Sequence, residues 1–384
     1  MKTTRLLAAS ATLLASLWNS SATADVNVGV ILSLTGPGAS LGIPTQNAIK
    51  LFDKELDGQK INYIILDDAS DPTNSLKNLR KLIIEDKVDV VMGSSTSPAT
   101  MPLVIAVSEQ KTPLISLAAS ARIVEPQDPV RRWTFKAIAN ENIVVGSTIN
   151  HMVANGVKSL GYIGFSDTYG DSWLAEIDAQ AAKVGIQRSA TEKYARTDTS
   201  VMAQVLKVIA ANPDAVLVAG AGTPGALPQK TLIDRGYKGR IYQTYGIANR
   251  DFLRVAGKDA EGAYLAAGGV LVASQLDPGN PIRQVGLDAT KAYEAANGPG
   301  SMSIFVANAF DANLLLRAGL KSALAKEMPG TEAFRTALRD SLERVNGLVT
   351  TQGVINMSVA DHVGYDSRAA VMVQINNGAW KYIK

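Results

Sequence analysis

The chain has 384 residues, of which 46% are hydrophobic and 19% charged, and its 38 basic and 35 acidic side chains give a formal net charge of +3. This near balance argues against a nucleic-acid partner, because proteins that bind nucleic acid need a strongly basic face. The sequence has no cysteine and two histidines, His151 and His362. We therefore expect no disulfide, no metal site, no cofactor and no histidine-based catalytic triad.

The first residues have the pattern of a secretory signal peptide. Two basic residues precede an apolar run at 6–17, and small residues follow at 22–24. We predict that a signal peptide spanning 1–24 is cleaved after Ala24 and that the mature chain is exported to the periplasm. No later apolar run reaches the roughly 20 residues that a membrane-spanning helix needs.

The remaining chain alternates between strand and helix patterns. Near-continuous apolar runs at 61–66, 88–92 and 114–117 are typical of parallel strands that are covered by helices on both faces. A second alternation of the same kind begins after Trp133. The patterns predict a helix that begins near Pro44 in the first lobe, and a loop at 166–170 before a helix that begins near Asp171 in the second lobe. The fold class predicted from these patterns is α/β, with two doubly wound lobes.

The last third of the chain cannot form a lobe by itself. Three helical patterns, at 281–296, 302–323 and 331–345, follow one another without a strand between them, and Asn377-Gly378 is typical of a hairpin turn. These segments must pack on sheets that are already built, so the chain must cross between the lobes several times. The predicted bounds are 25–138 with 272–348 for the first lobe and 139–271 with 349–384 for the second lobe.

Two loops of small residues in the first lobe are candidate ligand contacts. Ser97 is a good N-cap, Pro98 suits the first helical position, and Ser95 and Thr96 precede them. The unpaired N–H groups of such a helix end attract anions, and a carboxylate is a suitable guest. The loop Ala118-Ala119-Ser120 follows the next strand and should reach the same edge of the sheet. The same residues are also typical of a capped helix without a ligand.

The sequence contains one formal nucleotide-binding motif, a G-x-G-x-x-G at 220–225. No acidic residue follows about 20 positions later to hold a ribose, so we interpret this stretch as a loop that leaves room in a cleft. A P-loop, an HExxH motif and a G-x-S-x-G elbow are absent from the sequence. We therefore predict a protein that is not an enzyme.

Five motifs in order resemble the leucine/isoleucine/valine-binding protein family, the type I periplasmic solute-binding proteins of ABC transporters. They are LSLTGPGASLG at 32–42, VVMGSSTSPA at 90–99, PLISLAAS at 113–120, SDTYGDS at 166–172 and YGIANRDFL at 245–253. The resemblance implies two lobes joined by three crossovers, a ligand cleft between them, and a membrane permease as partner. We expect a monomer.

The resemblance also implies roles for individual residues. The carboxylate of the ligand would be held by Ser97 and by loop groups at Ala118 and Ser120, and Tyr169 would close over the ligand from the second lobe. Three positions depart from the family pattern. Tyr245 stands where amino-acid binders have an acidic residue for the ammonium, Ala221 and Gly222 stand where another aromatic is common, and Leu41 replaces an aromatic or polar residue.

These departures favour a ligand that has a carboxylate but no α-ammonium, because a buried ammonium needs a carboxylate partner. The predicted ligand is an aromatic or otherwise bulky organic acid, such as a benzoate, a phenylpropanoid or a keto acid. An ordinary amino acid, with Asp167 or Asp251 holding its ammonium, remains the alternative. A second alternative is a receptor that reports to a sensor rather than to a transporter.

Overall fold

The computed structural model describes residues 24–384. The predicted signal peptide therefore lies, apart from Ala24, outside the described residues. Within 24–384, no helix is both long and apolar enough to cross a bilayer.

The first sheet has six strands in the order β2-β3-β1-β4-β5-β6. Its strands are β1 (Val26–Leu32), β2 (Glu55–Leu56), β3 (Gln59–Asp67), β4 (Val90–Gly93), β5 (Leu114–Ser116) and β6 (Thr134–Lys136). All pairs are parallel except the edge pair of β2 and β3. The central strands are apolar and fully buried because helices cover both faces of the sheet, as the sequence pattern predicts.

The second sheet has seven strands in the order β15-β14-β11-β10-β9-β7-β8. Its strands are β7 (Ser159–Phe165), β8 (Gln187–Tyr194), β9 (Ala215–Ala219), β10 (Arg240–Gln243), β11 (Tyr264–Ala267), β14 (Val371–Asn376) and β15 (Ala379–Tyr382). The predicted hairpin around Asn377-Gly378 is present and pairs antiparallel with β11. A separate pair, β12 (Leu348–Val349) and β13 (Val354–Ile355), lies outside both sheets.

Eleven α-helices surround the sheets in the described residues. They are α1 (Ala39–Ile49), α2 (Pro72–Ile84), α3 (Ser97–Glu109), α4 (Glu141–Ala154), α5 (Thr168–Lys183), α6 (Met202–Ala210), α7 (Ala226–Asp234), α8 (Arg250–Ala256), α9 (Pro281–Asn297), α10 (Ile304–Leu324) and α11 (Glu332–Leu342).

Two helices near the cleft begin earlier than predicted. The prediction placed the start of α1 near Pro44, but the helix begins at Ala39 and contains Pro44. The prediction placed the start of α5 near Asp171, but Asp167 is its N-cap and accepts from the backbone N–H of Tyr169 at 2.8 Å. Tyr169 therefore lies in the first turn of a helix, where its position is better fixed than in the predicted loop.

The architecture is a two-lobe α/β fold in which the chain passes three times between the sheets. The first passage joins β6 to β7. After β11 the chain returns to the first sheet, where α10 packs against β3 through a hydrogen bond of 3.0 Å from the Tyr63 hydroxyl to Asn313. The third passage leads to the final hairpin. We propose the predicted lobe bounds, 25–138 with 272–348 and 139–271 with 349–384, for this arrangement.

A buried carboxylate fixes the third passage. Asp311 of α10 accepts hydrogen bonds from the Thr351 amide at 2.7 Å, from the Gln352 side chain at 3.0 Å and from the Tyr365 hydroxyl at 3.1 Å. Burial raises the pKa of Asp311 from 3.8 to about 6, because desolvation of the charged form outweighs these hydrogen bonds. The crossover between the lobes therefore contains a group that titrates in mildly acidic solution.

Candidate ligand-binding site

A cavity lies between the two lobes, where loops from both sheets meet. Eight of the predicted site residues line it, namely Leu41, Ser95, Thr96, Ser97, Ala119, Tyr169, Ala221 and Tyr245. Six further residues complete the lining: Leu117, Ile138, Arg196, Gly246, Phe305 and Asn308. The predicted residues Ala118, Ser120 and Gly222 lie beside this cavity without lining it.

The first-lobe wall is the loop that leads into α3. The N-cap is Thr96, whose side chain accepts from the Ala99 amide, and the prediction that Ser97 is the N-cap is therefore wrong by one residue. Because Ser97 is the first residue of the helix and not its N-cap, its hydroxyl is not engaged in capping. Its Oγ accepts a hydrogen bond of 3.2 Å from the backbone N–H of Ser120. The two predicted carboxylate loops are thus joined directly.

The loop after β5 uses one of its predicted donors internally. The backbone N–H of Ala118 donates to the Ser116 hydroxyl at 3.1 Å, so it is already engaged. The Ser120 hydroxyl, in contrast, is fully buried and has no hydrogen-bond partner among the described residues. Because an unpaired buried hydroxyl costs about 1–3 kcal/mol, this oxygen is a site where a bound polar group or a water would be stabilising.

A buried aspartate stabilises the serine loop through hydrogen bonds. Asp68 accepts from the hydroxyl of Ser94, from the hydroxyl of Ser33 at 2.8 Å and from the Ser70 amide at 2.8 Å. The Ser33 amide in turn donates to Ser95 Oγ at 3.1 Å. Burial raises the pKa of Asp68 above its ordinary value. This network positions the Ser95 hydroxyl at the cavity wall.

Tyr169 forms part of the second-lobe wall through its ring. Its hydroxyl donates to Thr244 Oγ1 at 2.6 Å, and Thr244 donates to the Gly220 carbonyl at 2.6 Å. Burial holds the pKa of Tyr169 well above its ordinary value, so the hydroxyl stays protonated. With its donor engaged, Tyr169 offers the cavity mainly an aromatic surface.

Tyr245 presents an unpartnered hydroxyl in the same wall. The residue is buried, its ring centroid lies 5.7 Å from that of Trp173, and its hydroxyl has no partner within the part of the chain that the structure describes. Its pKa is raised, first by burial and then by the negative charge of Glu141. Tyr245 can therefore donate a hydrogen bond to a ligand, but it cannot carry the negative charge that an ammonium needs.

Gly222 is where the lobes touch. It has φ of +60° and ψ of −154°, a conformation open only to glycine, and an added Cβ would lie 2.4 Å from Ser40 Oγ and 2.6 Å from Leu41 Cδ1. The neighbouring Thr223 amide donates to Ser40 Oγ at 3.2 Å across the cleft. The small residue here thus allows the lobes to approach, rather than enlarging the cavity as the sequence suggested.

Arg196 is a lining residue that sequence reasoning missed. It follows β8, and its guanidinium carbon lies 4.0 Å from the centre of the Phe165 ring and 5.7 Å from that of Tyr169. Its Nε pairs with Asp167 at 2.6 Å, and 13% of its side chain is exposed. The only sequence signal was an isolated arginine after a polar strand, which is usually a surface residue.

Two buried side chains of opposite charge, Lys136 and Glu141, lie near the cavity and were also missed. Lys136 Nζ donates to the Ala119 carbonyl and to Asn140 at 2.6 Å, and Glu141 Oε2 accepts from the Ala121 amide at 2.7 Å. Burial lowers the pKa of Lys136 to about 8, although the charge of Glu141 opposes this shift. Glu141 Oε1 has no hydrogen-bond partner in residues 24–384.

Neither carboxylate considered for an ammonium is free to bind one. Asp167 caps α5 and pairs with Arg196, and Asp251 is paired with Arg254 at 3.3 Å on the surface. No acidic residue lines the cavity among the described residues, and Arg196 is its only charged lining residue. The described residues also contain no cluster of three or more His, Cys, Asp or Glu side chains that could hold a metal ion. The cavity wall therefore consists of hydroxyl groups, aromatic rings, apolar side chains and one guanidinium.

Comparison with known proteins identifies the family. The family model described as periplasmic binding protein matches residues 25–379. The chain belongs to this family. This periplasmic binding protein therefore has the fold and the solute-binding, ABC-transporter type of its relatives, which implies export and, as a class, binding rather than catalysis.

Three known proteins illustrate what this periplasmic binding protein is similar to in sequence or in fold. It is 42% identical to an extracellular ligand-binding receptor from Rhodopseudomonas palustris HaA2, with a TM-score of 0.91 over 94% of this chain and 100% of that one. It is 25% identical to the Leu/Ile/Val-binding protein BraC3 of Rhizobium johnstonii over 87% of this chain and 89% of the relative. A solute-binding protein from R. palustris in complex with benzoate has a TM-score of 0.80 at 20% identity, over 94% of this chain and 96% of that one.

Proposed function

We propose that this protein binds a small organic acid that lacks an α-ammonium, such as an aromatic acid or a keto acid, and delivers it to the permease of an ABC transporter. The carboxylate binds on the first lobe at Ser97, with Ser95 and Ser120 as additional hydroxyl donors. The second lobe closes over the rest of the molecule with Tyr169 and Tyr245. Closure is driven by the contacts that the ligand gains only in the closed state.

The observation that carries this proposal is the charge of the cavity wall. An α-amino acid brings an ammonium, which must be paired with a carboxylate when it is buried. The lining residues in 24–384 include no acid, and their one charged member, Arg196, is already paired with Asp167. A carboxylate without an ammonium meets only favourable partners, namely the serine hydroxyls and the N-terminus of α3.

The apolar part of the wall supports a bulky ligand. The cavity is lined by the apolar side chains of Leu41, Leu117, Ile138 and Phe305 and by the two tyrosines. Such a lining favours a ring or a branched chain over a small polar acid, because burial of apolar surface contributes about 25 cal/mol per Å². The benzoate complex of the structurally similar R. palustris protein supports the same ligand class.

An amino acid is the second candidate, favoured by one observation. Glu141 is buried near Tyr245, and its Oε1 has no partner within 24–384. The curated relatives named as Leu/Ile/Val-binding proteins support such a ligand. Two observations argue against an amino acid as the ligand. Glu141 does not line the cavity, and the positive charge of Lys136 already offsets its negative charge.

A thermal-shift screen of protein stripped of ligand tests the two candidates. A ligand present at 100 times its Kd adds about 2.7 kcal/mol to the free energy of unfolding, which is a measurable rise in Tm. We expect benzoates, phenylpropanoids or bulky keto acids to raise the Tm, and proteinogenic amino acids to leave it unchanged. A rise with leucine and none with the acids would contradict the proposal and assign the ammonium to Glu141.

Delivery to a permease and a monomeric state are parts of the same proposal. Uptake assays in a strain that lacks this protein distinguish transport from sensing, because loss of the receptor abolishes uptake of the acid only if a transporter depends on it. An unchanged uptake rate together with a lost transcriptional response would favour the sensor alternative.

A further inference from the structure

The guanidinium of Arg196 is the feature of the cavity that the proposed function leaves unused. It is held in place on two sides, by the Asp167 carboxylate at its Nε and by the Phe165 ring below its plane. A fixed guanidinium presents its remaining N–H groups in one direction, unlike a flexible lysine. Arg196 is therefore a rigid donor on the second-lobe wall.

The two terminal nitrogens of Arg196 donate to no protein acceptor within residues 24–384. The hydrogen bond to Asp167 uses Nε, and no other side-chain bond of Arg196 is formed there. The side chain is only 13% exposed and lines the ligand cavity. Donors without a protein acceptor can bind an acceptor that the ligand supplies, so this end of the cavity is suited to such a group.

The charge balance decides which acceptor fits. Asp167 already compensates the positive charge of Arg196 at a distance of 2.6 Å. A second carboxylate on the ligand would bring an excess negative charge into this neutral pair and would have to be desolvated. A neutral oxygen, such as a phenolic hydroxyl, a methoxy group or a ketone, accepts the hydrogen bonds without that cost.

We propose that Arg196 is a specificity-determining residue that binds a neutral oxygen at the end of the ligand opposite its carboxylate. This inference rests on the proposed function and narrows its ligand class to acids with an oxygen substituent on the far side. The carboxylate is held by Ser97 on the first lobe and the oxygen by Arg196 on the second lobe. A ligand with both groups bridges the cleft and stabilises the closed state more than the unsubstituted acid.

Titration calorimetry on matched pairs of acids tests this inference. The pairs are benzoate with 4-hydroxybenzoate and cinnamate with 4-hydroxycinnamate, and benzene-1,4-dicarboxylate tests an anionic far end. In the wild-type protein we expect the hydroxylated member of at least one pair to bind about 10-fold or more tightly than its parent, because a bond to a charged donor discriminates strongly. The dicarboxylate should bind more weakly than 4-hydroxybenzoate.

Variants of Arg196 locate the source of the preference. Arg196→Met removes the donors, and the ratio of the two Kd values should fall close to one. Arg196→Lys keeps the ion pair with Asp167 and protects the fold, but its single ammonium is held by Asp167, so the ratio should fall as well. Arg254→Met, which removes an exposed arginine of the same lobe, is the matched control and should keep the wild-type ratio.

The outcomes separate this inference from the proposed function. A wild-type protein that binds the parent acids without preference, or Arg196 variants that keep the preference, would overturn the role of Arg196 and leave the ligand class intact. If the dicarboxylate binds more tightly than 4-hydroxybenzoate, the inference that Arg196 binds a neutral oxygen is wrong. Binding of leucine with no binding of any acid would overturn both the proposed function and the inference built on it.

Discussion

The side-chain oxygen of Ser97, in the first turn of α3, accepts a hydrogen bond from the backbone N–H of Ser120 at 3.2 Å. This bond connects the loops after β4 and β5, which are far apart in sequence but adjacent at the edge of the first sheet. Because the oxygen of Ser97 is used as an acceptor, its proton is available for donation to a ligand. The same residue thus orders the site and, in the proposed function, donates to the carboxylate of the ligand.

We expect Ser97→Ala to weaken binding of the acid by about 10-fold or more, since a hydrogen bond to a carboxylate contributes about 1.5–3 kcal/mol. Titration calorimetry measures the change. Ser108→Ala, near the other end of the same helix and outside the cavity lining, is the matched control and should bind normally. Equal effects of the two substitutions would remove Ser97 from the carboxylate site.

Tyr245→Phe should have opposite effects on binding and on stability. The ligand-free protein should become no less stable, or more stable by up to about 1 kcal/mol, because the unpartnered buried hydroxyl is removed. Affinity for the acid should fall by about fivefold if the hydroxyl contacts it. Urea unfolding without ligand and titration calorimetry with ligand measure the two quantities.

Tyr237→Phe is the comparison for Tyr245→Phe. Its hydroxyl donates to the Pro213 carbonyl at 2.9 Å, away from the cavity, so its loss should reduce stability by about 1 kcal/mol and leave affinity unchanged. If Tyr245→Phe behaves like Tyr237→Phe, the Tyr245 hydroxyl has no role in binding.

Gly222→Ala should hinder the closure of the two lobes. The alanine would be strained at φ of +60° and ψ of −154°, and its Cβ would collide with Ser40 and Leu41 of the other lobe. We expect affinity to fall at least about 10-fold, and small-angle scattering in the presence of ligand should show a more open molecule. Gly236→Ala adds a side chain at φ of +76° where nothing lies within 4 Å, so it should lower stability while affinity is preserved. A similar loss of affinity in both variants would exclude an inter-lobe clash as the cause.

Asp311 should give the stability a characteristic dependence on pH. The pKa of Asp311 is about 6 in the folded protein, against the ordinary value of 3.8 expected in the unfolded chain. The folded state therefore binds this proton more tightly than the unfolded state does. The stabilisation is present below about pH 4 and is lost as the pH rises through 6, a change of about 3 kcal/mol at 1.36 kcal/mol per pKa unit. Asp311→Asn removes this dependence.

Urea unfolding at several pH values between 4 and 7 measures the effect as a difference between wild type and variant, in which the contributions of other carboxylates cancel. The variant should gain stability relative to wild type as the pH rises. Ser322→Ala, at an exposed position of the same helix as Asp311 and without a titratable side chain, should show a constant difference over the same range. A constant difference for Asp311→Asn as well would contradict the raised pKa.

Much of the fold could be predicted from the sequence because its central strands are buried on both faces and are therefore uniformly apolar. The missed strand β8 has mostly exposed or half-buried residues, since it lies at the edge of the sheet, and it therefore lacks that pattern. The start of α1 was predicted five residues late because Pro44 was interpreted as a first-turn proline, although the helix tolerates it further in.

The candidate site also has one part that could be predicted from the sequence and one part that could not. The serine loops could be predicted because helix capping depends on neighbouring residues, although the cap itself is Thr96 and not Ser97. Arg196 and Glu141 could not, because their positions depend on partners distant in the chain, Phe165 for Arg196 and Ala121 for Glu141. Local patterns carry no information on such long-range contacts.

The route of the chain through both lobes has a consequence for biogenesis. Strands β14 and β15, which complete the second sheet, are made last, and α10 and α11, which cover the first sheet, are made after most of the second. A chain that emerges from its amino end can therefore complete neither hydrophobic core until its final third is synthesised. We therefore expect the nascent polypeptide to remain incompletely folded for most of its synthesis, a state that suits the export implied by its family.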